Sequence, residues 1–480
     1  MHKLMHKPLQ TLAPFALSLL VTACAVGPDY QAPQSVQVDN FSQATNNSSD
    51  PAAEQRFWAG FNDPILAQLV ERTLTGNLDL QTLLARYQGA EALLRGARRD
   101  RWPSVQIEGG ASEQHLAEVE RSTPDQQRVE QYSAGLVASW ELDLYGRLAR
   151  GVEASEADLQ ASGADLQALQ VALTGQLASN YFALRGQQQL LAVAQQNVDL
   201  QQESLDIVSA RLDAGRGTNF DRLRAQSELD SLRALVPQRE AAVQLSMHRL
   251  AVLTGQPPAG LNALLDEAKP MPAVVTEIPV GTPAEVLRRR PDIQAAERRL
   301  ASATARVGVA TADLFPRFTL GALLGSVAGD GGDLFSAGAE SRRIALGIDW
   351  TFLDVEGVRA RIAAADARGA ERLAQYQQAV LSALEETENG LVSVRQSQRR
   401  SDWLQTATES AEQAVEQARL RYEQGYIEYF EVLDAEQALT AVRSDLVQSR
   451  IESAVAMVSV YQAIAGAPER DGNSDTLAQR

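Results

Sequence analysis

The second half of this chain repeats the first. At an offset of about 210 residues, Asp79-Leu80-Gln81 stands opposite Asp292-Ile293-Gln294, and Trp102-Pro103 stands opposite Phe315-Pro316. Trp140, Asp143, Gly146 and Arg150 match Trp350, Asp354, Gly357 and Arg361. Arg211, Gly215, Phe220, Leu223 and Ala225 match Arg421, Gly425, Phe430, Leu433 and Ala435. Four landmark sets in one order mark a duplication. Solenoid units run about 20–50 residues, so a period this long belongs to a duplicated domain that forms one symmetric body. Whatever the first half builds, the second must build again.

The amino terminus stands outside the repeat. Residues 1–23 carry Lys3 and Lys7 and no acid, followed by the apolar stretch 12–21 and Val21-Thr22-Ala23-Cys24. A charged start, a short apolar run and small residues before a cleavage point read as an export signal. The run is shorter than the ~20 apolar residues a membrane-spanning helix needs. Cys24 is the only cysteine, which excludes an intramolecular disulfide. Its setting is that of a lipobox, with Cys24 becoming the acylated first residue of a bacterial lipoprotein. Ala25 after it fits sorting to the outer membrane. Acyl chains contribute ~0.8 kcal/mol per buried methylene, so several chains make a firm anchor.

Charge and hydropathy narrow the partners. Lys and Arg number 44 against 61 Asp and Glu, a net charge of −17, which becomes −19 once Lys3 and Lys7 leave with the signal. Such a surface repels nucleic acid, and no basic patch with interleaved aromatics offsets it. Aromatics are 5% of the chain, while Ala, Leu, Gln, Glu and Arg dominate, as in long packed helices. Outside the signal no apolar run reaches the length of a spanning helix. If the chain crosses a membrane, it does so by strands.

The order of elements follows from turn and periodicity signals. Residues 24–62 read as an extended, lipid-anchored segment, polar and rich in Asn, Ser, Gln and Pro. The first repeat, 63–256, opens with Asn62-Asp63-Pro64 as cap and first turn of a helix reaching about residue 101. Strands at 104–114 and 132–142 follow. In the second, Ala134, Leu136, Ala138, Trp140 and Leu142 alternate with Ser133, Gly135, Val137, Ser139 and Glu141. Alternation over ~10 residues is enough to cross a bilayer as a barrel strand. A proline-free helix then runs over 146–214, roughly 100 Å at ~1.5 Å per residue. Gly215 and Gly217 turn it into a return helix to residue 254, interrupted or kinked at Pro237. A proline-rich join, 257–282, leads to the second repeat, 283–466, which starts on the capping box Thr282-Pro283-Ala284-Glu285. Its first helix ends near residue 314, its strands are 317–327 and 343–352, and its long helices are 357–424 and 429–465. Ile344, Leu346, Ile348, Trp350 and Phe352 share one face of the last strand. The tail, 467–480, reads as flexible.

Four strands per chain cannot close a membrane barrel, since single-chain barrels begin at about eight. An open edge in lipid leaves backbone groups unpaired at several kcal/mol each. The expected fold is therefore an α+β membrane protein completed by other copies: strands at one end, long helices at the other, together a tube. An enzyme is not expected. His2 and His6 leave with the signal, and His115 and His248 have no second metal ligand at a binding spacing. Glu385, Glu386 and Glu388 read as a solvated helix face rather than paired catalytic acids. No nucleotide-binding loop, nucleophile elbow or redox pair is present, so no cofactor and no metal are expected, only the lipid on Cys24. The competing reading is a lipid-anchored coiled-coil spacer or adhesin of the cell envelope, which would have no need of the alternating strands.

Three further segments carry a resemblance. Phe57-Trp58, Phe61-Asn62-Asp63-Pro64 and Asn77-Leu78-Asp79-Leu80, then Trp140-Glu141-Leu142-Asp143-Leu144-Tyr145-Gly146-Arg147, then Arg289-Arg290-Pro291-Asp292-Ile293 resemble signatures of the TolC-like outer-membrane efflux factors. Cys24-Ala25-Val26-Gly27-Pro28-Asp29-Tyr30 is similar to the start of the OprM/NodT-type lipoprotein subgroup. The resemblance implies a homotrimer with a shared twelve-stranded barrel in outer-membrane lipid and a twelve-helix periplasmic tunnel. It implies passive efflux, a periplasmic adaptor, and an inner-membrane pump of the RND type. It also implies a periplasmic gate: acid rings at Glu431 and Asp434, three apart on one helical face, and a closing contact between Asp221 and Tyr422. Ile427 stands where the family's namesake has an arginine, so that ionic latch is absent or replaced, with Arg222 the candidate.

Overall fold

A computed structural model describes residues 25–33, 38–42, 57–123, 127–271 and 280–464. The signal, Cys24 and the tail lie outside the described residues. In chain order the elements are α1 (Pro64–Gly76), α2 (Leu78–Arg99), β1 (Ser104–His115), β2 (Arg128–Leu142), α3 (Arg147–Asp213) and α4 (Asn219–Leu253). The second series is α5 (Pro283–Arg289), α6 (Pro291–Ala312), β3 (Arg317–Ala328), β4 (Glu340–Asp349), α7 (Val355–Glu423) and α8 (Tyr429–Ile464). Helix, helix, strand, strand, long helix, return helix occurs twice.

The chain divides into two compact units. One comprises Met1–Pro33, Arg86–Ser162 and Ala295–Tyr376, and holds the sheet. Its four strands run β1-β2-β3-β4, all antiparallel, so β2 and β3, one from each repeat, pair at the centre and β1 and β4 are the edges. Gly135 faces Gly325 in that central pairing, and a Cβ added at Gly325 would lie 2.4 Å from the Ala134 carbonyl oxygen. The two tryptophans of the repeat do the same work: Trp140 Nε1 donates to the Arg101 carbonyl and Trp350 Nε1 to the Leu314 carbonyl, both at 3.0 Å. β4 stops at Asp349 rather than residue 352, because the Trp350 bond and one from Thr351 Oγ1 to the Asp313 carbonyl (3.3 Å) draw the chain off the ladder.

The other unit comprises Gln34–Ala85, Gly163–Gln294 and Gln377–Arg480 and holds the main apolar core. Leu66, Leu69, Leu177, Tyr181, Phe182, Leu184, Met247, Leu250, Met457 and Ile464 are buried together there. Burial of one such side chain is worth about 1.5–3 kcal/mol. α1 starts where expected: the Asp63 carboxylate accepts from the Ile65 and Leu66 amides at 2.8 and 3.2 Å, with Pro64 at the first position.

Three sequence expectations are corrected. The single helix expected from Pro64 to about residue 101 is two helices, broken at Asn77, whose backbone is extended. The Asn77 side chain restarts the helix by accepting from the Asp79 and Leu80 amides (2.9 and 3.2 Å), and its Nδ2 donates to the Leu253 carbonyl at 2.9 Å. The corresponding helix of the second repeat is broken at Arg290, held extended by the proline that follows. Pro237, read as an interruption or a kink of α4, lies inside the helix on an exposed side, so α4 is not interrupted there.

Candidate functional site

The register sorts the sheet into two chemically distinct faces. Val105 and Ile107 pair with Ala138 and Leu136; Trp140, Ala138 and Leu136 pair with Leu320, Ala322 and Leu324; Leu320 and Ala322 pair with Leu346 and Ile344. All of these point to one side. The opposite side carries Gln106, Glu108 and Gly110, then Ser133, Gly135 and Ser139, then Thr319, Gly321 and Gly325, then Ser341, Arg343 and Gly347, with Val137, Leu323 and Val327 as apolar exceptions. On the apolar face Ile107 and Ile344 are each 82% exposed. A contiguous apolar band of this extent is stable only against an apolar medium or another chain. One face is apolar and the other mostly polar or small.

A separate candidate site, in the other unit, is the pair of turns between long helices. Each uses a left-handed glycine, Gly215 (φ +71°) and Gly425 (φ +80°). Each closes with the same two bonds: Gly215 N to Leu212 O and Arg216 N to Arg211 O, against Gly425 N to Tyr422 O and Tyr426 N to Arg421 O, all 2.8–2.9 Å. This is the Schellman helix ending, whose left-handed residue glycine supplies without a Cβ penalty. Leu205, Val208, Ala225, Leu229, Tyr422, Tyr429, Val432 and Leu433 form the small core beneath the turns. Val432 and Leu433 face that core, so Glu431 and Asp434 are left exposed together on the other side of α8.

Within one chain the expected gate residues Asp221 and Tyr422, and Arg222, each have a nearby partner of their own. No hydrogen bond joins Asp221 to Tyr422 among the described residues; Asp221 Oδ2 accepts from Thr218 Oγ1 at 2.6 Å, within its own cap. The Tyr422 ring lies under the Arg211 guanidinium at 4.3 Å, and Arg211 Nη1 donates to the Tyr422 carbonyl. Burial raises the Tyr422 hydroxyl pKa, Arg211 draws it back, and the nearby Asp221 charge adds to the rise. Arg222 donates to Asn219 Oδ1 (3.1 and 2.9 Å), again within the turn. Arg211 was legible only as a repeat landmark; nothing in the sequence marked it as the cation that meets Tyr422.

A buried polar cluster ties the helices just behind the turns. Arg419 and Ser204 both donate to Glu436 Oε1, at 2.6 and 2.8 Å, and Gln201 Nε2 donates to the Tyr429 hydroxyl at 3.0 Å. Burial, with the Glu436 charge adding, pushes the Tyr429 pKa up to about 12 despite the Gln201 bond. The acidic run on α7 is likewise more than a solvated face. Glu386 pairs with Arg290 at 2.7 Å, and Glu388 accepts from the Ser42 amide and hydroxyl at 2.6 and 2.8 Å. Among the described residues no three His, Cys, Asp or Glu side chains gather as a metal-holding set.

Comparison with known proteins places these features. The model of the outer membrane efflux protein family matches residues 69–256 and again 282–466. The chain is 30% identical over 444 residues to nodulation protein T of Rhizobium leguminosarum bv. trifolii, covering 90% of this chain and 92% of that protein. It is 28% identical over 464 residues to the antibiotic efflux pump outer membrane protein ArpC of Pseudomonas putida, covering 94% and 95%. Among solved structures, the outer-membrane channel OprN superposes with a TM-score of 0.86 at 38% identity, over 92% of this chain and 99% of that one. The open-state MtrE outer-membrane channel of Neisseria gonorrhoeae does so with a TM-score of 0.83 at 26% identity, over 93% and 99%. A duplicated helix–strand–helix chain, with a two-faced sheet and a match of this breadth, belongs to the outer membrane efflux protein family and is an outer-membrane efflux channel of the TolC-like kind.

Proposed function

We propose that the channel is a homotrimer in which three four-stranded sheets close a twelve-stranded barrel and the long helices continue it into the periplasm. The observation that carries this is the register: one face is apolar across strands of both repeats, from Val105 through Ala138 and Ala322 to Ile344, with Arg342 and Glu340 at the far end of β4, while β1 and β4 each keep an unpaired edge. Edges in lipid cost several kcal/mol per unpaired group, and pairing with another copy removes the cost. The polar and small residues of the other face then line a permissive pore. In this reading the repeats occupy 63–256 and 283–466, the duct is passive, and an adaptor and an inner-membrane pump of the RND type supply cargo and energy. The exposed Phe220 and Phe430, both beneath the Arg224 guanidinium at 5.4 and 5.1 Å, offer the adaptor an apolar patch at the turns. Cys24 carries the lipid, which radioactive palmitate should label in the wild type and not in Cys24→Ser.

The gate is assigned to the turn of the second repeat. Three copies of Glu431 and Asp434 would ring the pore and attract cations, as acid rings do in other channels. Asp221 and Tyr422 are taken as the closing pair; within one chain Asp221 is held by Thr218, Tyr422 lies under Arg211, and Arg222, the candidate to replace the missing arginine, donates to Asn219. Purified protein in planar bilayers tests this. We expect conductance in the wild type, weaker cation selectivity and weaker block by multivalent cations in Glu431→Ala with Asp434→Ala, and higher resting conductance in Asp221→Ala with Tyr422→Phe. Absence of any conductance would return the protein to the spacer class, and unchanged values in both variants would move the gate elsewhere.

A further inference from the structure

The amino-terminal residues, which the sequence reads as the start of an extended tether, are seated in a fitted slot. The Val26 amide donates to the Tyr145 carbonyl at 3.1 Å. Arg150 Nε donates to the Val26 carbonyl (3.3 Å), and Nη2 donates to the Gly27 carbonyl (3.5 Å) and to Asp29 Oδ1 (2.6 Å). Its remaining arm, Nη1, donates to Glu153 at 2.8 Å, and the Arg150 side chain is only 6% exposed. Burial alone would lower the pKa of this guanidinium; bonds from Asp29 and Glu153 outweigh it, so the net shift is upward. Asp29 is largely exposed, which leaves the backbone carbonyls as the better-shielded partners.

Three glycines complete the slot. Gly27 has φ +91°, and a Cβ on it would lie 2.4 Å from Gly308 Cα. Gly146 has φ +77°, and its Cβ would lie 2.6 Å from Ala25 Cα, while a Cβ on Gly308 would come within 2.9 Å of the Arg150 side chain. Farther along, the Tyr30 hydroxyl donates to Glu297 Oε1 at 2.7 Å, and the Arg298 guanidinium covers the Tyr30 ring at 5.3 Å. Residues 25–30 therefore cross from the start of α3, in the first repeat, to α6, in the second. A loose leash requires neither a buried arginine nor backbone-to-backbone contact at glycine.

We propose that Arg150 and the slot formed by Gly27, Gly146 and Gly308 make this strap a rigid splint that positions the acyl anchor. Ala25 touches Gly146, just beyond the end of β2, and Tyr145 stacks at 4.5 Å on Phe315, just before β3. The described strap thus begins, at Ala25, beside the point where β2 leaves the sheet and β3 enters it. Arg150 is a positioning residue; it holds the strap and does not touch lipid. The inference rests on the lipid reading of Cys24, and the test separates the two.

Cells are supplied with a fatty acid carrying a diazirine, illuminated, and the full-length protein is purified for peptide mapping. Only cross-links that include the Cys24 peptide are counted, which excludes bulk lipid. In the wild type they should concentrate on the lipid-side residues nearest the strap, Trp140, Leu142, Phe318 and Leu320. Arg150→Ala and the strap-side variant Gly27→Val should retain the acyl label and lose that concentration, spreading over β1 and β4. Arg150→Lys should fall between, since a point charge cannot reproduce the forked contacts of a guanidinium. An identical cross-link pattern in wild type and Gly27→Val overturns the splint. An unlabelled wild type instead overturns the lipid reading, and should Arg150→Ala fail to assemble, Gly27→Val decides, because the substitution lies in the strap and every side chain of α3 and α6 is kept.

Discussion

The two helix breaks, Asn77 in the first repeat and Arg290 in the second, answer one requirement with different chemistry. Each donates to a carbonyl at the end of its own repeat's last helix: Asn77 Nδ2 to Leu253 at 2.9 Å, Arg290 Nη1 to Ala463 at 3.1 Å. Helix ends leave unpaired carbonyls, and burying one without a donor is expensive. The neutral amide stops there. The guanidinium goes on to bind Asp292 and Glu386, both at 2.7 Å, and so draws in α7 as well. Duplication preserved the need for a donor; the identity of the donor determined how many helices meet at it. The tryptophans at the sheet show the opposite case, in which residue, bond and distance are the same in both repeats.

The largest effect should come from breaking this contrast at its charged member. Arg290→Ala is expected to cost about 2–3 kcal/mol, the worth of hydrogen bonds from a buried cation, with the higher values excluded because Asp292 and Glu386 are exposed enough to turn to water. Asn77→Ala should cost about 1–2 kcal/mol for a lost cap and a lost buried bond. Urea titration of the purified protein, followed by helical circular dichroism, would rank them; an equal or reversed order would mean that the added charges contribute nothing. Trp140→Phe and Trp350→Phe should have the smallest effects, about 1 kcal/mol each, and should match one another. Brominated lipids should quench both tryptophans in the wild type. A quenching difference between them would show that the two repeats meet the membrane boundary at different depths.

The sheet was legible in the sequence because its signal is local. Alternation along β2 and β4 assigned Leu136, Trp140, Ile344 and Leu346 to one face before any pairing was known, and the register brought those faces into line. The turns were legible for the same reason, since Gly215 and Gly425 announce a left-handed residue within a few positions of the helix end. The strap was not, because Val26 and Asp29 find their partners at Tyr145 and Arg150, more than a hundred residues away. Asn77 and Arg290 were missed likewise, each break being stabilised by a carbonyl about 175 residues distant in sequence. At the gate, the acids were readable as an i, i+3 pair, whereas the meeting of Arg211 with Tyr422 depends on how two helices from different repeats approach each other.

The glycine pair at the centre of the sheet has a mechanical consequence. Gly135 and Gly325 face each other on the water side, with no room for a Cβ at Gly325 and little at Gly135. Three stiff panels joined at their edges would concentrate all their bending at the joints between copies, giving a pore of triangular section. In the proposed trimer, one side-chain-free point at the midline of each panel, between the Ser133–Val327 and Val137–Leu323 pairs, lets every sheet take up part of the turn itself, and glycine is the residue that barrels use for such corners. Filling that point, as Gly325→Val would do, transfers the bending to the joints between copies, where the unpaired edges of β1 and β4 must find their partners.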